Sequence, residues 1–334
     1  MIAVRRRDFI KGIPGSSIAW ALAARAQQAE KVRRIGVLMA HREDDTEFQE
    51  YLVVFRQTLA KFGWIEHRNI SIETRWGALD NAEIRQRSAK ELLTVNPDVI
   101  LTQNTPPTAS MLQETSTVPV VFVIVADPVG SGFVKSLAHP GGNATGFTVM
   151  EPTTSGKWLE LLKEVAPQTK RAAFLFNPRT APFANYYIEP YKAAAASLGV
   201  EAVAAMVNSK SDLETVIAAQ AQSADTGLII MPDGFLNVHR AEIVSLAARY
   251  RLPAVYPWRF FTELGGLMSY GFSQGEFFRA ATTYIDRILK GEKPADLPVQ
   301  APTNYELVIN RTTAKALGLT LPISVIARAD DWID

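Results

Sequence analysis

The stretch whose residue types come closest to a nucleophile motif is Gly271-Phe272-Ser273-Gln274-Gly275. It fits G-x-S-x-G, the strand–turn–helix elbow that exposes a serine hydroxyl in hydrolases. In that fold the acid and then the histidine follow the serine along the chain. Here the histidines are His41, His67, His139 and His239, and none follows Ser273. A glycine-bounded strand-to-helix turn is the better account of the motif, and a cleft hydrolase using Ser273 is kept only as the alternative. Pro140-Gly141-Gly142-Asn143-Ala144-Thr145-Gly146 has the glycines of a phosphate loop but not the Lys-Ser/Thr that completes one. No histidine pair stands at metal-ligand spacing, and the carboxylates are too scattered for acid and base roles to be assigned from spacing. The expectation is a binding protein rather than an enzyme, with no metal and no cofactor.

Binding residues need elements to position them, and the chain supplies these in a regular alternation. Residues 34–39 form an apolar run, 48–62 carry apolar side chains at helical spacing, and 70–75 alternate as a strand. A helix over 81–94 and strands over 98–102 and 118–125 follow, with a helix opening near Thr105 and Pro106, where Thr105 is free to cap. The pattern restarts after residue 150: helices are expected over 158–165, 186–198, 212–223, 240–250 and 277–290. Strands are expected over 171–176, 201–207, 227–231, 254–256 and 266–270. Unbroken apolar strands separated by helices predict mostly parallel sheets covered on both faces, here as two doubly wound α/β lobes.

Ligands of such sheets sit beyond the carboxyl ends of the strands. In two facing lobes those ends line one cleft, which selects Ala40-His41, Gln103-Asn104-Thr105, Val125-Ala126-Asp127, Asn177, Asn208-Ser209, Asp233 and Tyr256. From this lining and the adjoining strand end, the candidate ligand-binding set is His41, Thr105, Asp127, Asn177, Asp233, Tyr256 and Tyr270. Asp127 before Pro128 reads either as a helix N-cap or as a carboxylate for a ligand ammonium group, and Asp233 invites the same two readings. Thr105 would cap a helix whose free N–H groups can receive a carboxylate. Asn177 is a turn residue or a cleft hydrogen-bond donor. Tyr256 and Tyr270 either stack on a ligand or sit in the core. Trp64, Trp76, Trp158 and Trp332 read as packing residues, and Arg259 as a rim charge.

The chain has 334 residues, 35 basic against 34 acidic side chains, and no cysteine. That length suits about two domains, and the near-neutral balance gives no case for a nucleic-acid partner. Arg6-Arg7-Asp8-Phe9-Ile10-Lys11, a short apolar run and Ala24-Arg25-Ala26 have the order of a cleaved export signal over 1–26, resembling the twin-arginine motif. A Sec signal with chance arginines is the other reading. Cleavage after Ala26 removes five basic residues and one acidic one, leaving 30 against 33 and a net charge of −3 with histidine neutral. The apolar run is too short to span a bilayer. Without cysteine there are no disulfides, no thiolate metal sites and no lipobox thiol. The mature chain is therefore expected to be free in a periplasm and not lipid-anchored.

Several stretches resemble one family. They are Arg34-Ile35-Gly36-Val37-Leu38, Asp127-Pro128-Val129-Gly130-Ser131-Gly132, the run from Ser136 to Gly146 that reads SLAHPGGNATG, and Gly265-Gly266-Leu267-Met268-Ser269-Tyr270-Gly271. The tail from Ile288 through Gln300 and the Ala314-Lys315-Ala316-Leu317-Gly318-Leu319 stretch agree as well. Over about 33–330 the chain resembles periplasmic substrate-binding proteins of ABC transporters, in the branch of the tryptophan/tyrosine-binding components. That resemblance implies a type I periplasmic-binding-protein fold, with two Rossmann-like lobes joined by a multi-strand hinge. Crossings would fall near 146–150, 268–273 and 296–303. One lobe would span 33–146 plus about 272–297, and the other 150–268 plus about 303–330. It also implies a monomer that closes on a small organic ligand, an amino acid or aromatic acid, and hands it to an ABC permease in the inner membrane. A sensor fed by the same module is an alternative that the sequence leaves open.

Overall fold

The computed structural model describes residues 32–77, 81–223 and 225–334. The export signal expected over 1–26 lies outside them. The first sheet is built from β1 (Arg33–Met39), β2 (Ile70–Trp76), β3 (Val99–Gln103), β4 (Val120–Val125) and β5 (Ala144–Thr148). Its order is β2-β1-β3-β4-β5, with every pair parallel. Helices α1 (Thr46–Lys61), α2 (Ala82–Thr94) and α3 (Thr105–Glu114) make the crossovers between successive strands. β3 and β4 are buried along their whole length, which is why they read as continuous apolar runs, whereas the edge strand β2 is only half-buried and alternates.

The second sheet takes β6 (Arg171–Phe176), β7 (Glu201–Met206), β8 (Thr226–Ile230), β9 (Ala254–Tyr256), β10 (Met268–Gly271), β11 (Glu306–Asn310) and β12 (Asp331–Ile333). Its order is β12-β11-β10-β9-β8-β6-β7, and β10–β11 is the antiparallel pair. Around it run α4 (Thr154–Val165), α5 (Ala184–Leu198), α6 (Asp212–Ala221), α7 (Gly234–Val238), α8 (Arg240–Arg249) and α9 (Arg259–Glu263). Helix α10 (Gln274–Leu289) leaves this sheet and packs on α1, β3, β4 and β5 of the first. Its buried stripe includes Phe277, Phe278, Ala281 and Ile285, and Trp64 Nε1 donates to Asp286 Oδ1 at 2.8 Å. The short helices α11 (Arg311–Ala316) and α12 (Ile323–Ile326) precede β12.

Three segments pass between the sheets, at 149–153, 272–273 and 297–305. The last of them runs beside β5: Thr148 N donates to Gln300 O (2.8 Å), and Gln300 N donates to Gly146 O (3.0 Å). Gly146 has φ 151°, and a Cβ there would meet the Phe122 carbonyl oxygen at 2.0 Å. Gly271 opens another crossing, where a Cβ would stand 1.9 Å from the Pro257 carbonyl oxygen and 2.9 Å from Met150 Cε. Gly271→Ala is therefore expected to destabilise the chain by about 1–3 kcal/mol through overpacking. Urea unfolding of the variant beside the wild type measures it; an unchanged midpoint would show that the backbones part freely.

Two local expectations are corrected. The helix at 105 is preceded by Asn104 (φ 70°), and the Thr105 hydroxyl accepts from Ala126 N at 3.1 Å instead of capping. That bond ties the end of β3 to the end of β4. After Asp127-Pro128 no helix forms. Asp127 has φ 42°, its Oδ1 accepts from Gly130 N at 2.8 Å, and Gly132 has φ 74°. The local side-chain bond competes with helical pairing and wins. β4 also carries a register shift between Phe122 and Val125, a bulge that re-aims the Val125-Ala126-Asp127 end.

Candidate functional site

The strand ends hold buried polar side chains whose bonding is incomplete. His41 follows β1, is 1% exposed, and stacks on Phe48 with ring centroids 3.4 Å apart. Neither of its ring nitrogens has a partner among the described residues. Burial, with Arg240 nearby, holds this imidazole well below its ordinary value of 6.5. Gln103, at the end of β3, accepts from Ala40 N through Oε1 at 3.1 Å, which leaves Nε2 unpartnered. Asn104 Nδ2 is likewise unpartnered. On the second sheet, Asn177 Oδ1 accepts from Arg179 N at 2.8 Å, so its unpartnered end is again the Nδ2 donor. Backbone N–H groups thus fix the amide orientation of both Gln103 and Asn177.

Asp233 is held by the protein itself. Its Oδ2 accepts from Asn177 N (2.6 Å), and its Oδ1 accepts from Phe235 N (2.8 Å) and the Thr180 hydroxyl (2.5 Å). Burial pushes the carboxyl up to about 6 although those bonds favour the charged form. Asp233 therefore caps α7 and staples the end of β6 to the end of β8. Asp127 is half-buried and lies near the Tyr186 hydroxyl, which burial first and then Asp127 push upward. Tyr256 is packed in the core on Phe261 at 4.9 Å, and burial raises its hydroxyl. Tyr270 is half-buried and stacks on Tyr305 at 5.3 Å. Asn208-Ser209 sits at the outer end of β7, where both backbone N–H groups donate to Asp212 Oδ2.

The two sets of strand ends are clamped together by an ion pair between the lobes. Asp45, just before α1, receives Arg240 Nη1 and Nη2 at 2.9 Å each. Arg240, at the start of α8, also donates to Asn237 O at 2.9 Å and lies 5.3 Å over the Phe260 ring. From this pair the polar groups connect in a chain: His41 lies beside Arg240, Arg240 reaches Asn237, Asn237 N donates to Asp233 O, and Asp233 holds Asn177. Asn237 Oδ1, Trp258 Nε1 and both amide atoms of Gln274 add further buried, unpartnered polar atoms. In native proteins the great majority of such groups are bonded, and each one left unmade costs about 1–3 kcal/mol. Gln103 and Asn177 present donors, so a group placed against both would need acceptors, as a carboxylate has.

The strand-end rule pointed at Gln103 and Asn104 only as lining, and it missed Asp45, Asn237, Arg240, Trp258 and Gln274. Trp258 stands two residues past the end of β9, where the same rule applies. Asp45 and Arg240 carried no local signal, because their partnership exists only in three dimensions. Arg259, read as a rim charge, pairs with Glu263 at 2.7 Å and Asp331 at 2.6 Å. Ser273 precedes α10 and is exposed. His239 packs against Phe235 with the two rings tilted, and His67 and His139 lie on the surface.

Electrostatics at His41 give a pH prediction with a definite sign. A base whose folded-state pKa is depressed contributes stability that is present above its unfolded value, about 6.5, and lost as pH falls below it. Asp233 works oppositely: its raised carboxyl favours the folded state below its ordinary 3.8, and this is lost as pH rises through about 6. Between neutrality and about pH 6, above the range in which Asp233 titrates, the melting temperature of His41→Phe should therefore depend less on pH than that of the wild type. Calorimetry of both proteins checks it, and parallel curves would refute a neutral buried His41.

Comparison with known proteins decides the family. The model of the ABC transporter substrate binding proteins matches residues 49–333. The chain belongs to the ABC transporter substrate-binding protein family. Among its relatives, a "Tyrosine-binding protein" of Clostridioides difficile is 25% identical over 266 residues, covering 79% of this chain and 75% of the relative. The crystal structure of a conserved domain protein from Vibrio cholerae is 28% identical with a TM-score of 0.83, covering 90% of this chain and 100% of that one. An ABC domain in complex with L-Trp from Streptococcus pneumoniae is 25% identical with a TM-score of 0.82, covering 90% and 99%. The substrate-binding protein described here thus has the two-lobed type I periplasmic-binding-protein fold that the sequence resemblance implied. Among the described residues of this family member, no helix is long and apolar enough to cross a membrane.

Proposed function

We propose that this substrate-binding protein captures a small amino acid or aromatic acid between its lobes and delivers it to the permease of an ABC importer. The observation that carries the reading is the set of buried, unpartnered polar atoms near the strand ends of both sheets, together with the Asp45–Arg240 pair that joins the lobes. The names of the relatives, a tyrosine-binding protein and an L-Trp complex, support an amino-acid ligand. His41, Thr105, Asp127, Asn177 and Tyr270 are proposed to line the cleft. Asp233 and Tyr256 shape it from behind. The segments 33–146 with 272–297 and 150–268 with 303–330 would move as two bodies about the three crossings. The protein would work as an exported periplasmic monomer, freed of residues 1–26 and carrying no lipid.

Ligand binding to the native state must stabilise it, by about 2.7 kcal/mol at a hundredfold excess over Kd. A thermal-shift series over amino acids and aromatic acids is expected to raise Tm for a narrow group of them. Native mass spectrometry should show one bound molecule per chain. If no member of either class shifts Tm, the proposal fails.

A further inference from the structure

A cavity of about 110 Å³ lies between α1, α9 and the start of α10. Three carboxylates reach it, Glu47, Glu263 and Glu306, and Arg259 is the one cation in its lining. Arg259 is already engaged: it bonds Glu263 and Asp331 and comes within 3.9 Å of Glu306. Glu47 accepts a hydrogen bond from the Tyr51 hydroxyl, and Arg240, whose charge partly offsets it, is itself held by Asp45. The walls are aromatic, from Tyr51, Trp258, Phe260 and Phe272.

A further group in the lining points to an occupant. Gln274 is 3% exposed with both amide atoms unpartnered, so its Oε1 is a buried acceptor without a donor. An excess of negative charge inside aromatic walls is the environment that attracts an organic cation, through the carboxylates and the ring quadrupoles together. Glu263 also lies close enough to Glu47 to push its carboxyl upward, after burial as the main cause, so the two like charges oppose closure of α1 on α9. A cation between them removes that repulsion.

We infer that this cavity is a cation site that takes an ammonium group, of a small free amine or of the cleft ligand itself, and joins α1 to α9 across the lobes. The second source rests on the proposed function; the first does not. Methylammonium chloride, titrated against sodium chloride at fixed ionic strength, is expected to raise Tm and change tryptophan fluorescence. Glu47→Gln should weaken that response roughly tenfold. Glu263→Gln, on an exposed helix position, should weaken it less.

Where methylammonium acts only as sodium does, the same variants are titrated with an aromatic amino acid and with its deaminated carboxylate. A loss in Glu47→Gln confined to the amine-bearing compound assigns the ligand's own ammonium group to the cavity. Methylammonium matching sodium, together with no amine-specific loss, overturns the inference. Failure of every amino acid and aromatic acid to bind overturns the proposed function alone, because the methylammonium titration does not depend on it.

Discussion

Asn177→Leu is expected to weaken ligand binding by about 10- to 100-fold, the value of a hydrogen bond to a charged group. Leucine nearly matches the shape of asparagine, so the change removes the Nδ2 donor without opening a void. Gln103→Leu should act alike from the opposite lobe, and the two losses should add if the ligand bridges them. Both side chains also accept a backbone N–H, from Arg179 and Ala40 respectively, so each variant loses some stability as well. Gln220 supplies the control. Its Oε1 is also buried and unpartnered, but it lies on α6, away from the cleft. Isothermal titration should show Gln220→Leu binding as the wild type. If it weakens binding as much as Asn177→Leu does, the effect is general softening and not loss of a ligand contact.

Arg240→Met should have the second large effect. It leaves Asp45 without its partner at a position where the two side chains are only 13% and 20% exposed. Breaking a buried pair by removing one member costs about 3–5 kcal/mol, and these side chains retain some solvent, so the lower end applies. Because the pair spans the lobes, the cost falls on the closed arrangement. The expected result is a larger radius of gyration by small-angle scattering in the presence of ligand, and about 100-fold weaker binding. Asp45→Asn with Arg240→Met together should recover part of the loss, since neither charge is then stranded. A double variant no better than the single one would mean that Arg240 acts through Asn237 and Phe260 and not through Asp45.

Much of this architecture is written locally. Runs such as Val120–Val125 can only be buried parallel strands, and α10 announces itself by its apolar stripe and by Gly291 (φ 108°) beyond its end. The family resemblance, carried above all by the stretch ending at Gly146, is borne out by the match over 49–333. β11 and β12 were not anticipated. Each is short and lies at or near one end of the second sheet, and only pairing with β10 and with each other makes them strands.

At the site, the rule of strand carboxyl ends located polar groups but not their state of bonding. It could not separate Asp233, whose oxygens are taken up by Asn177, Thr180 and Phe235, from Asn177, which keeps a donor to spare. Nor could it show that Thr105 braces Ala126 instead of capping its helix. Asp45 and Arg240 are separated by 195 residues, and no local pattern pairs them.

The unpartnered donors at the strand ends are proposed to hold a ligand between the lobes. A crystal structure of the wild-type chain with the amino acid or aromatic acid that gives the largest thermal shift tests this most directly. Ligand acceptor atoms are expected within hydrogen-bond distance of Gln103 Nε2 and Asn177 Nδ2, with Asp45 still paired to Arg240. A ligand bound elsewhere, with those two amides still unpartnered, would contradict it.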